Sequence, residues 1–413
     1  MPYPYTKNIQ TPRNDMRDVW STDMKLIYQG NALHIPLASE SIQCIMTSPP
    51  YWNLRSYNTG ENKHAELGSE PLHDCLGWAT GESCQECYVC HMRQVFRELW
   101  RVLRRDGTIF LNLGDSYASS WASGRRNIIG NGSRDNRIDR RPGNLKDKDL
   151  CLIPERVALA LQADGWWVRS DIIWHKPNPM PESVTDRPTR AHEYVFLLAK
   201  SQRYYWDQEA VKEVKAESTI GDSRNNNNGH RRDRDYPGSA SNGGTNLGGP
   251  DGTRNIRTVW TITPANFKGA HFATYPPKLV ERCILAGTSA KGACPKCGKP
   301  WVRVVKTEFI PQQGVSETAL IRGGNGQKPM DDSSRLQGTS RGSTRTNTTG
   351  WRPACQCGID TTIPCIVFDP FSGSGTTAMV AIEQGRRAIG GELSLDYIQQ
   401  SKERTKELQI TLL

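Results

Sequence analysis

The chain has 413 residues and carries 53 Lys and Arg against 43 Asp and Glu, a formal net charge of +10. At this length we expect one large core with insertions, or two linked units. The charge suits a polyanionic partner, although basic proteins without such a partner share it. No apolar run approaches the ~20 residues of a membrane-spanning helix, and residues 1–5 lack the charged-then-apolar order of a secretory signal. The sequence therefore predicts a cytoplasmic protein without a membrane partner.

Strands and helices alternate along the sequence, which predicts an α/β fold with a mainly parallel, doubly wound sheet. Residues 92–104 have apolar side chains at helical spacing, and Asp106-Gly107 is expected to close that helix. In chain order we predict strands at residues 25–28 and 44–46, a helix over 92–104, a strand at 108–113, a helix over 153–163, and strands at 170–174 and 193–199.

A glycine-rich loop follows a further predicted strand, Ile366–Asp369. The run Ser372-Gly373-Ser374-Gly375-Thr376-Thr377 turns into a helix that begins near Thr377, and its glycines permit close approach to a ligand. The next strand, Arg387–Glu392, ends 23 residues after Asp369, close to the ~20-residue offset of a ribose-binding acid. A P-loop would need Gly-Lys-Ser/Thr, and a dinucleotide site would need a third glycine. The pattern therefore favours another nucleotide-type cofactor.

The second motif lies near the other end of the chain and reads Thr47-Ser48-Pro49-Pro50-Tyr51-Trp52. A plain strand-to-turn Pro-Pro dipeptide is the alternative explanation for it. Together, the two motifs resemble those of the S-adenosylmethionine-dependent DNA amino-methyltransferases. The order, catalytic loop first and cofactor loop last, resembles the permuted β class of that family. The resemblance covers residues 25–200 and 258–405, includes Asn112-Leu113-Gly114-Asp115, and implies a Rossmann-like methyltransferase fold.

The resemblance also implies roles for individual residues. Asn31 stands where the family usually has an Asp near the cofactor adenine, and residues 271–279 resemble the segment that packs at the methionine end. Residues 173–177 resemble the family's substrate side. The implied catalytic residues are Ser48, Pro49, Pro50 and Tyr51; the implied cofactor residues are Asn31, Thr47, Asp369, Phe371, Ser372, Gly373, Ser374, Gly375, Thr376 and Glu392; the implied substrate or DNA contacts are Trp52, His175, Lys176, Arg231 and Arg232.

Methylation of an exocyclic amine is a direct displacement, and the amine lone pair is delocalised into the base. Ser48 Oγ and the Pro49 carbonyl are suited to hold the amine hydrogens and favour a nucleophilic nitrogen. Tyr51 would stack on the extruded base, with Trp52 behind it. The resemblance implies 4-methylcytosine as the product, because a serine in the first position is common among cytosine enzymes of this kind and a carboxylate among adenine enzymes; 6-methyladenine is the alternative product.

Other activities are less consistent with the sequence. Carbon-5 methylation needs a thiolate after an active-site strand, whereas Cys365 precedes the strand that leads to Asp369. A catalytically inactive, zinc-bearing DNA-binding protein and an RNA substrate stay open as alternatives. The partners that the sequence suggests are double-stranded DNA and a cognate restriction endonuclease.

Twelve cysteines in a cytoplasmic protein need an explanation other than disulfides. Cys44, Cys151, Cys283 and Cys365 have apolar surroundings and are expected to be core residues. The remainder predict structural zinc sites, since their spacing suits thiolate ligands. One site would use Cys294, Cys297, Cys355 and Cys357, and a second would use Cys84, Cys87 and Cys90 with Cys75 or His91. An iron–sulfur cluster is the alternative for the second site.

These motifs divide the chain into four predicted parts. Basic, glycine-rich stretches lack the apolar content to fold alone and suit phosphate contacts or solvated loops. The parts are a catalytic half at 1–200 with a Cys-rich insert at 73–92 and a basic loop at 123–148; a flexible basic or target-recognition segment at 201–257; a cofactor-binding half at 258–293 and 358–413; and a zinc-ribbon-like insert with a low-complexity loop at 294–357.

Overall fold

The computed structural model describes residues 25–52, 67–68, 70, 72, 84–118, 145–214, 253–265, 275–311, 342–406 and 408. The chain forms two compact units. Unit 1 comprises Met1–Asp207, Arg257–Trp301 and Pro353–Leu413, and unit 2 comprises Gln208–Ile256 and Val302–Arg352. The four-part division drawn from the sequence stays a prediction. Cys75, Arg231, Arg232 and residues 123–144 of the basic loop lie outside the described residues.

The described elements follow one another in the predicted alternation. The helices are α1 (Tyr88–Val102), α2 (Ile153–Ala163), α3 (Pro277–Gly287), α4 (Thr376–Glu383) and α5 (Leu395–Arg404). The strands are β1 (Lys25–Gln29), β2 (Ile42–Thr47), β3 (Leu103–Leu113), β4 (Trp167–His175), β5 (His192–Ala199), β6 (Glu213–Val214), β7 (Thr253–Arg254), β8 (Val259–Thr261), β9 (Trp301–Pro311), β10 (Gly342–Pro353), β11 (Ile366–Asp369) and β12 (Arg387–Glu392).

Eight strands form one sheet in the order β1-β12-β11-β2-β3-β5-β4-β8. The neighbours from β1 to β3 are all parallel, β5 is antiparallel to both β3 and β4, and β8 is parallel to β4. Strand β5 therefore runs opposite to the other seven strands of this sheet, and the predicted mainly parallel α/β fold is confirmed. Strands β9 and β10 form one two-stranded sheet, and β6 and β7 form another.

Helices cover both faces of the sheet, which explains why β2 is buried along its whole length. Phe96 and Leu99 of α1 pack with Ile45 and Phe368 on one face. On the other face, α3 ends so close to the sheet that a Cβ on Gly287 would lie 2.8 Å from Cys44 Sγ. Two covered faces are the arrangement expected of a parallel sheet.

The end of α1 differs from the prediction. The helix ends at Val102, and β3 begins at the next residue, so Asp106-Gly107 lies inside the strand and does not close the helix. Leu103 is buried and pairs with Ile42 across the sheet, next to a register shift. Gly107 is required in the strand, because a Cβ there would lie 2.9 Å from the Gln43 carbonyl oxygen. Leu103 fits the apolar spacing of α1 although it lies in β3, because an apolar side chain at this position would be buried in either element.

The four cysteines expected in the core are buried, which confirms that prediction. Burial raises the pKa of the Cys44 thiol to about 12 and that of Cys365 to about 11. Such thiols are poor nucleophiles at neutral pH because almost none is ionised. Among the described residues, no helix is long and apolar enough to cross a membrane.

Candidate active site

The predicted site residues gather at one edge of the large sheet, where the parallel strands have their carboxyl ends. Loops in this position meet where the strand order reverses in open α/β sheets. Thr47 ends β2 and Asp369 ends the neighbouring strand β11. The Thr47 hydroxyl donates to Asp369 Oδ1 at 2.8 Å, across 322 positions of sequence. The structure therefore joins the catalytic loop directly to the cofactor half.

The Ser-Pro-Pro-Tyr loop leaves the buried strand β2 and is held from below by α1. The Tyr88 hydroxyl, in the first turn of α1, donates to the Pro50 carbonyl at 2.9 Å. Tyr88 is fully buried, so the donor of this bond is shielded from water and fixes one carbonyl of the loop. Ser48 is half-buried and its hydroxyl faces Tyr51 Oη at 3.4 Å.

Tyr51 points back towards the sheet. Its hydroxyl lies 2.6 Å from Glu193 Oε2 and 3.0 Å from Asn112 Oδ1. Gly114 permits this position, because a Cβ there would lie 2.6 Å from Tyr51 Cε2. Neither Asn112 nor Glu193 was among the predicted site residues. The available signal was positional: Asn112 is near the end of β3, and Glu193 is near the start of the one reversed strand.

Asp369 is buried and surrounded by donors. Besides Thr47, the hydroxyls of Tyr275 and Thr377 each donate to Oδ2 at 2.8 Å. Burial raises the pKa of the Asp369 carboxyl above its usual value, and these hydroxyls partly offset that shift. Tyr275 belongs to the segment 271–279 singled out in the sequence, of which 271–274 lie outside the described residues.

Glu392 holds the glycine-rich loop through backbone amides. Oε2 accepts the Gly373 amide at 2.8 Å, and Oε1 accepts those of Leu393 and Ser394 at 2.9 Å. Burial raises the pKa of the Glu392 carboxyl. A carboxylate has about four lone-pair sites, so the three amides leave room for one further donor. A ribose contact by Glu392 stays a prediction that this geometry accommodates.

The loop itself has the conformation of a ligand-binding turn. Gly373 and Gly375 have φ of +49° and +80°, values that disfavour other residues. At Gly375, a Cβ would also lie 2.2 Å from Ser401 Oγ of α5. Arg404 of the same helix donates to the hydroxyls of Ser374 and Thr376 at 3.1 and 2.9 Å. Arg404, which fixes the loop from outside, was not among the predicted site residues.

The loop fits a nucleoside cofactor of the kind that the sequence implied. Ser372 Oγ is buried and has no hydrogen-bond partner among the described residues, and an unpaired buried hydroxyl is costly unless a ligand pairs with it. S-adenosylmethionine would supply an electrophilic methyl group here. Asn31 lies at the same edge, where its Oδ1 accepts the Leu33 amide at 2.9 Å; its contact with an adenine stays a prediction.

The predicted substrate contacts lie in different environments. Trp52 is only 2% exposed and donates to the Glu70 carbonyl at 2.8 Å. The side chain lies behind the loop, and its burial is inconsistent with the predicted DNA contact. Lys176 forms an ion pair with Glu193, and its Nζ lies 4.5 Å from the Trp174 ring centroid. His175 faces the Thr261 hydroxyl at 3.1 Å. DNA contacts by His175 and Lys176 stay predictions.

Both cysteine clusters are assembled. The Sγ atoms of Cys294, Cys297, Cys355 and Cys357 lie within 4.8 Å of one another, as do those of Cys84, Cys87 and Cys90. Tetrahedral zinc with Zn–S of about 2.3 Å places sulfurs ~3.8 Å apart, and Cys84 Sγ lies 3.7 Å from Cys90 Sγ. His91 is not the fourth ligand, because its ring nitrogens face Glu70 Oε1 and the Gln85 carbonyl at 2.9 and 3.1 Å.

A mainly parallel sheet with a glycine-rich loop, a buried acid and a Ser-Pro-Pro-Tyr loop at the carboxyl ends of its strands is the arrangement expected of an amino-methyltransferase that uses a nucleoside cofactor. The model of the DNA methylase family N6_N4_Mtase matches residues 42–294 and 364–403. The chain belongs to this family of S-adenosylmethionine-dependent DNA amino-methyltransferases.

Two curated relatives agree with this assignment. The type II methyltransferase M.Cfr9I of Citrobacter freundii is 40% identical over 63% of this chain and 72% of its own length. The type II methyltransferase M.SmaI of Serratia marcescens is 31% identical over 89% of this chain and 85% of its own length. The solved structure of the PvuII cytosine-N4-specific DNA methyltransferase aligns over 95% of this chain and 89% of that one, with 15% identity and a TM-score of 0.47.

Proposed function

We propose that this enzyme methylates the exocyclic amine of cytosine in duplex DNA and forms 4-methylcytosine at a defined sequence. The observation that carries the proposal is Ser48, a hydroxyl at the first position of a loop whose neighbour Thr47 is hydrogen-bonded to the cofactor-side Asp369. Serine in this position is common among cytosine enzymes of the family, whereas a carboxylate is common among adenine enzymes. The alternative product is 6-methyladenine.

The chemistry follows from the groups that surround the loop. The Ser48 hydroxyl and the Pro49 carbonyl accept the two amine hydrogens, which draws the amine lone pair out of the ring and towards the methyl group. Bound S-adenosylmethionine would supply a sulfonium methyl group to that nitrogen, with the cofactor sulfur as the leaving group that retains the bonding pair, and the amine would afterwards release one proton to solvent. Because a paired base does not expose its amine in this way, the base is extruded before transfer.

The biological setting that we propose rests on the relatives' names. Both relatives described above are called type II methyltransferases, so we infer that this chain protects a recognition site from a cognate restriction endonuclease. This function would be carried out in the cytoplasm, where the DNA is.

The experiment that tests the proposed function is nucleoside mass spectrometry of unmodified duplex DNA after incubation with the protein and S-adenosylmethionine. We expect a 4-methylcytosine peak. A 6-methyladenine peak would keep the reaction class and remove the argument from Ser48. Absence of both products, with methyl label passing to RNA or with cofactor bound but no turnover, would contradict DNA methylation itself.

We further propose that both cysteine clusters bind structural zinc. The two glycines that follow the cysteine pairs, Gly298 and Gly358, share a φ of +67°, so both halves of the four-cysteine site, the zinc knuckle, have the same turn. Metal analysis by mass spectrometry should find one or two zinc ions per folded chain. A folded, metal-free protein or one with bound iron would contradict zinc.

A further inference from the structure

The hydroxyl of Tyr51 has one proton and two acceptors within reach. Glu193 Oε2 is 2.6 Å away and Asn112 Oδ1 is 3.0 Å away. At neutral pH, a glutamate side chain accepts hydrogen bonds and donates none. The shorter bond to a charged acceptor is the stronger one, so the proton of Tyr51 is directed to Glu193.

The surroundings of Glu193 keep its carboxylate in place. Asn112 Nδ2 donates to Glu193 Oε2 at 3.1 Å and to the Tyr194 carbonyl at 3.0 Å, and these two acceptors fix the amide orientation. Lys176 pairs with the other oxygen, Oε1. The Glu193 side chain is 15% exposed, so the carboxylate is largely shielded from water.

This arrangement has a consequence for Ser48. With the Tyr51 proton committed to Glu193, the phenol oxygen can accept a hydrogen bond from the Ser48 hydroxyl, whose oxygen lies 3.4 Å away. A hydroxyl has one donor and two acceptor lone pairs. The lone pairs of Ser48 are then the part of the group that faces a substrate amine, whose hydrogens need an acceptor.

We propose that Glu193 is a positioning residue that sets the direction of the hydrogen-bond chain from Ser48 through Tyr51, and so makes Ser48 an acceptor towards the substrate. The inference rests on the proposed function, because it needs Ser48 to hold an amine. Glutamine at position 193 has the same size but also carries two donors, so it permits the chain to reverse and the Ser48 proton to face the amine.

The test compares Glu193→Gln with wild type in single-turnover transfer of labelled methyl from S-adenosylmethionine to duplex DNA. We expect a rate loss of about 10- to 100-fold, typical of residues that orient a reacting group, with the cofactor dissociation constant unchanged. Glu182→Gln is the matched control, because the Glu182 carboxylate pairs with Arg187 at 2.5 Å and, in the described part of the chain, accepts no hydrogen bond from a site residue. The control should keep the wild-type rate. A wild-type rate for Glu193→Gln overturns the proposal.

A double-mutant comparison separates positioning from a general structural effect. Tyr51→Phe breaks the chain, so adding Glu193→Gln to it should cause no further loss. Losses that multiply would overturn the proposal. Glu193→Asp retains an acceptor-only group and should be faster than Glu193→Gln; the reverse order would overturn it as well. If Glu193→Gln does not fold, Tyr51→Phe alone tests the proposal. A wild-type rate for Tyr51→Phe would then overturn the proposed hydrogen-bond chain.

Ser48→Ala in the same assay separates this inference from the proposed function. A full rate for Ser48→Ala removes the role of Ser48 and with it the proposed mechanism. A slow Ser48→Ala beside a fast Glu193→Gln removes only Glu193. The labelled-methyl readout is the same for cytosine and adenine, so the outcome does not depend on the base.

Discussion

Ser48 and Thr47 are consecutive residues with different tasks. Thr47 is buried and bonded to Asp369 at 2.8 Å, while Ser48 is half-buried at the edge of the site. A change at Ser48 therefore affects the side that faces the substrate and leaves the link to the cofactor half intact.

We expect Ser48→Ala to lower the single-turnover rate of methyl transfer by about 100-fold, the size seen when one preorganised hydrogen bond of an active site is removed. Affinity for S-adenosylmethionine, measured by calorimetric titration, should not change. Ser41→Ala is the control, since the Ser41 hydroxyl donates to the Ala38 carbonyl at 2.7 Å, at the opposite end of β2. Weakened cofactor binding in Ser48→Ala would contradict the assigned role.

Glu392→Ala should weaken cofactor binding. The substitution removes the acceptor of three backbone amides, including that of Gly373 in the glycine loop. Hydrogen bonds to a charged group contribute about 1.5–3 kcal/mol each. The substitution would remove both the predicted ribose contact and the support of the glycine loop, so cofactor affinity should fall at least tenfold. Calorimetric titration measures it; an unchanged dissociation constant would remove Glu392 from the site.

At the scale of elements, the two cysteine clusters lie at opposite ends of strand β2. The four-cysteine site contacts the start of β2, where Gln43 Nε2 donates to the Gly298 carbonyl at 3.0 Å and Gln43 Oε1 accepts the Ile366 amide at 2.7 Å. The three-cysteine cluster lies at the start of α1, next to Tyr88, which holds the Pro50 carbonyl. One cluster thus supports the core, and the other supports the catalytic loop.

Single substitutions should separate these effects. Cys297→Ser should lower the melting temperature by several degrees while the remaining folded protein keeps its transfer rate per bound cofactor, because metal sites contribute directly to folding. Cys84→Ser should instead slow methyl transfer, since the start of α1 loses its anchor beneath Pro50. Melting curves and single-turnover rates measure the two.

The control for both is Cys151→Ala, a buried cysteine outside the clusters, which should leave the zinc content unchanged. Equal effects of Cys297→Ser and Cys84→Ser on the transfer rate would contradict the division of roles between the two clusters.

The sequence predicted the elements of the sheet well because apolar periodicity and glycine turns are local signals. It misplaced the end of α1, since Leu103 satisfies the helical pattern and is buried equally well in β3. It also missed Asn112, Glu193 and Arg404, whose roles depend on neighbours distant in sequence: Arg404 is bonded to Thr376 at 2.9 Å across 28 positions, and Glu193 to Tyr51 across 142. Only the folded sheet brings such pairs together.

For the whole molecule, the formal charge of +10 is the feature that bears on DNA affinity. Phosphate neutralisation releases counterions, and each contact contributes about 0.9 to the slope of log affinity against log salt on duplex DNA. If Arg231 and Arg232 each contact a phosphate, Arg231→Ala with Arg232→Ala should reduce that slope by about 1.8. Fluorescence anisotropy over a salt series measures it, and an unchanged slope would place DNA contact elsewhere.

The pairing of β1 with β12 has a consequence for the evolution of the genes of this family. These strands are paired in parallel from Lys25 with Ala388 to Gln29 with Glu392, so the first and last described strands of the sheet lie side by side. If such a gene were duplicated in tandem and its two outer parts were then lost, a new connection would link these two strands. The new chain termini would lie elsewhere in the fold. The coding order of the two loops would then be exchanged, yet every strand would keep its neighbours. Descent in this family can therefore reorder the blocks of a gene without passing through an unfolded ancestor.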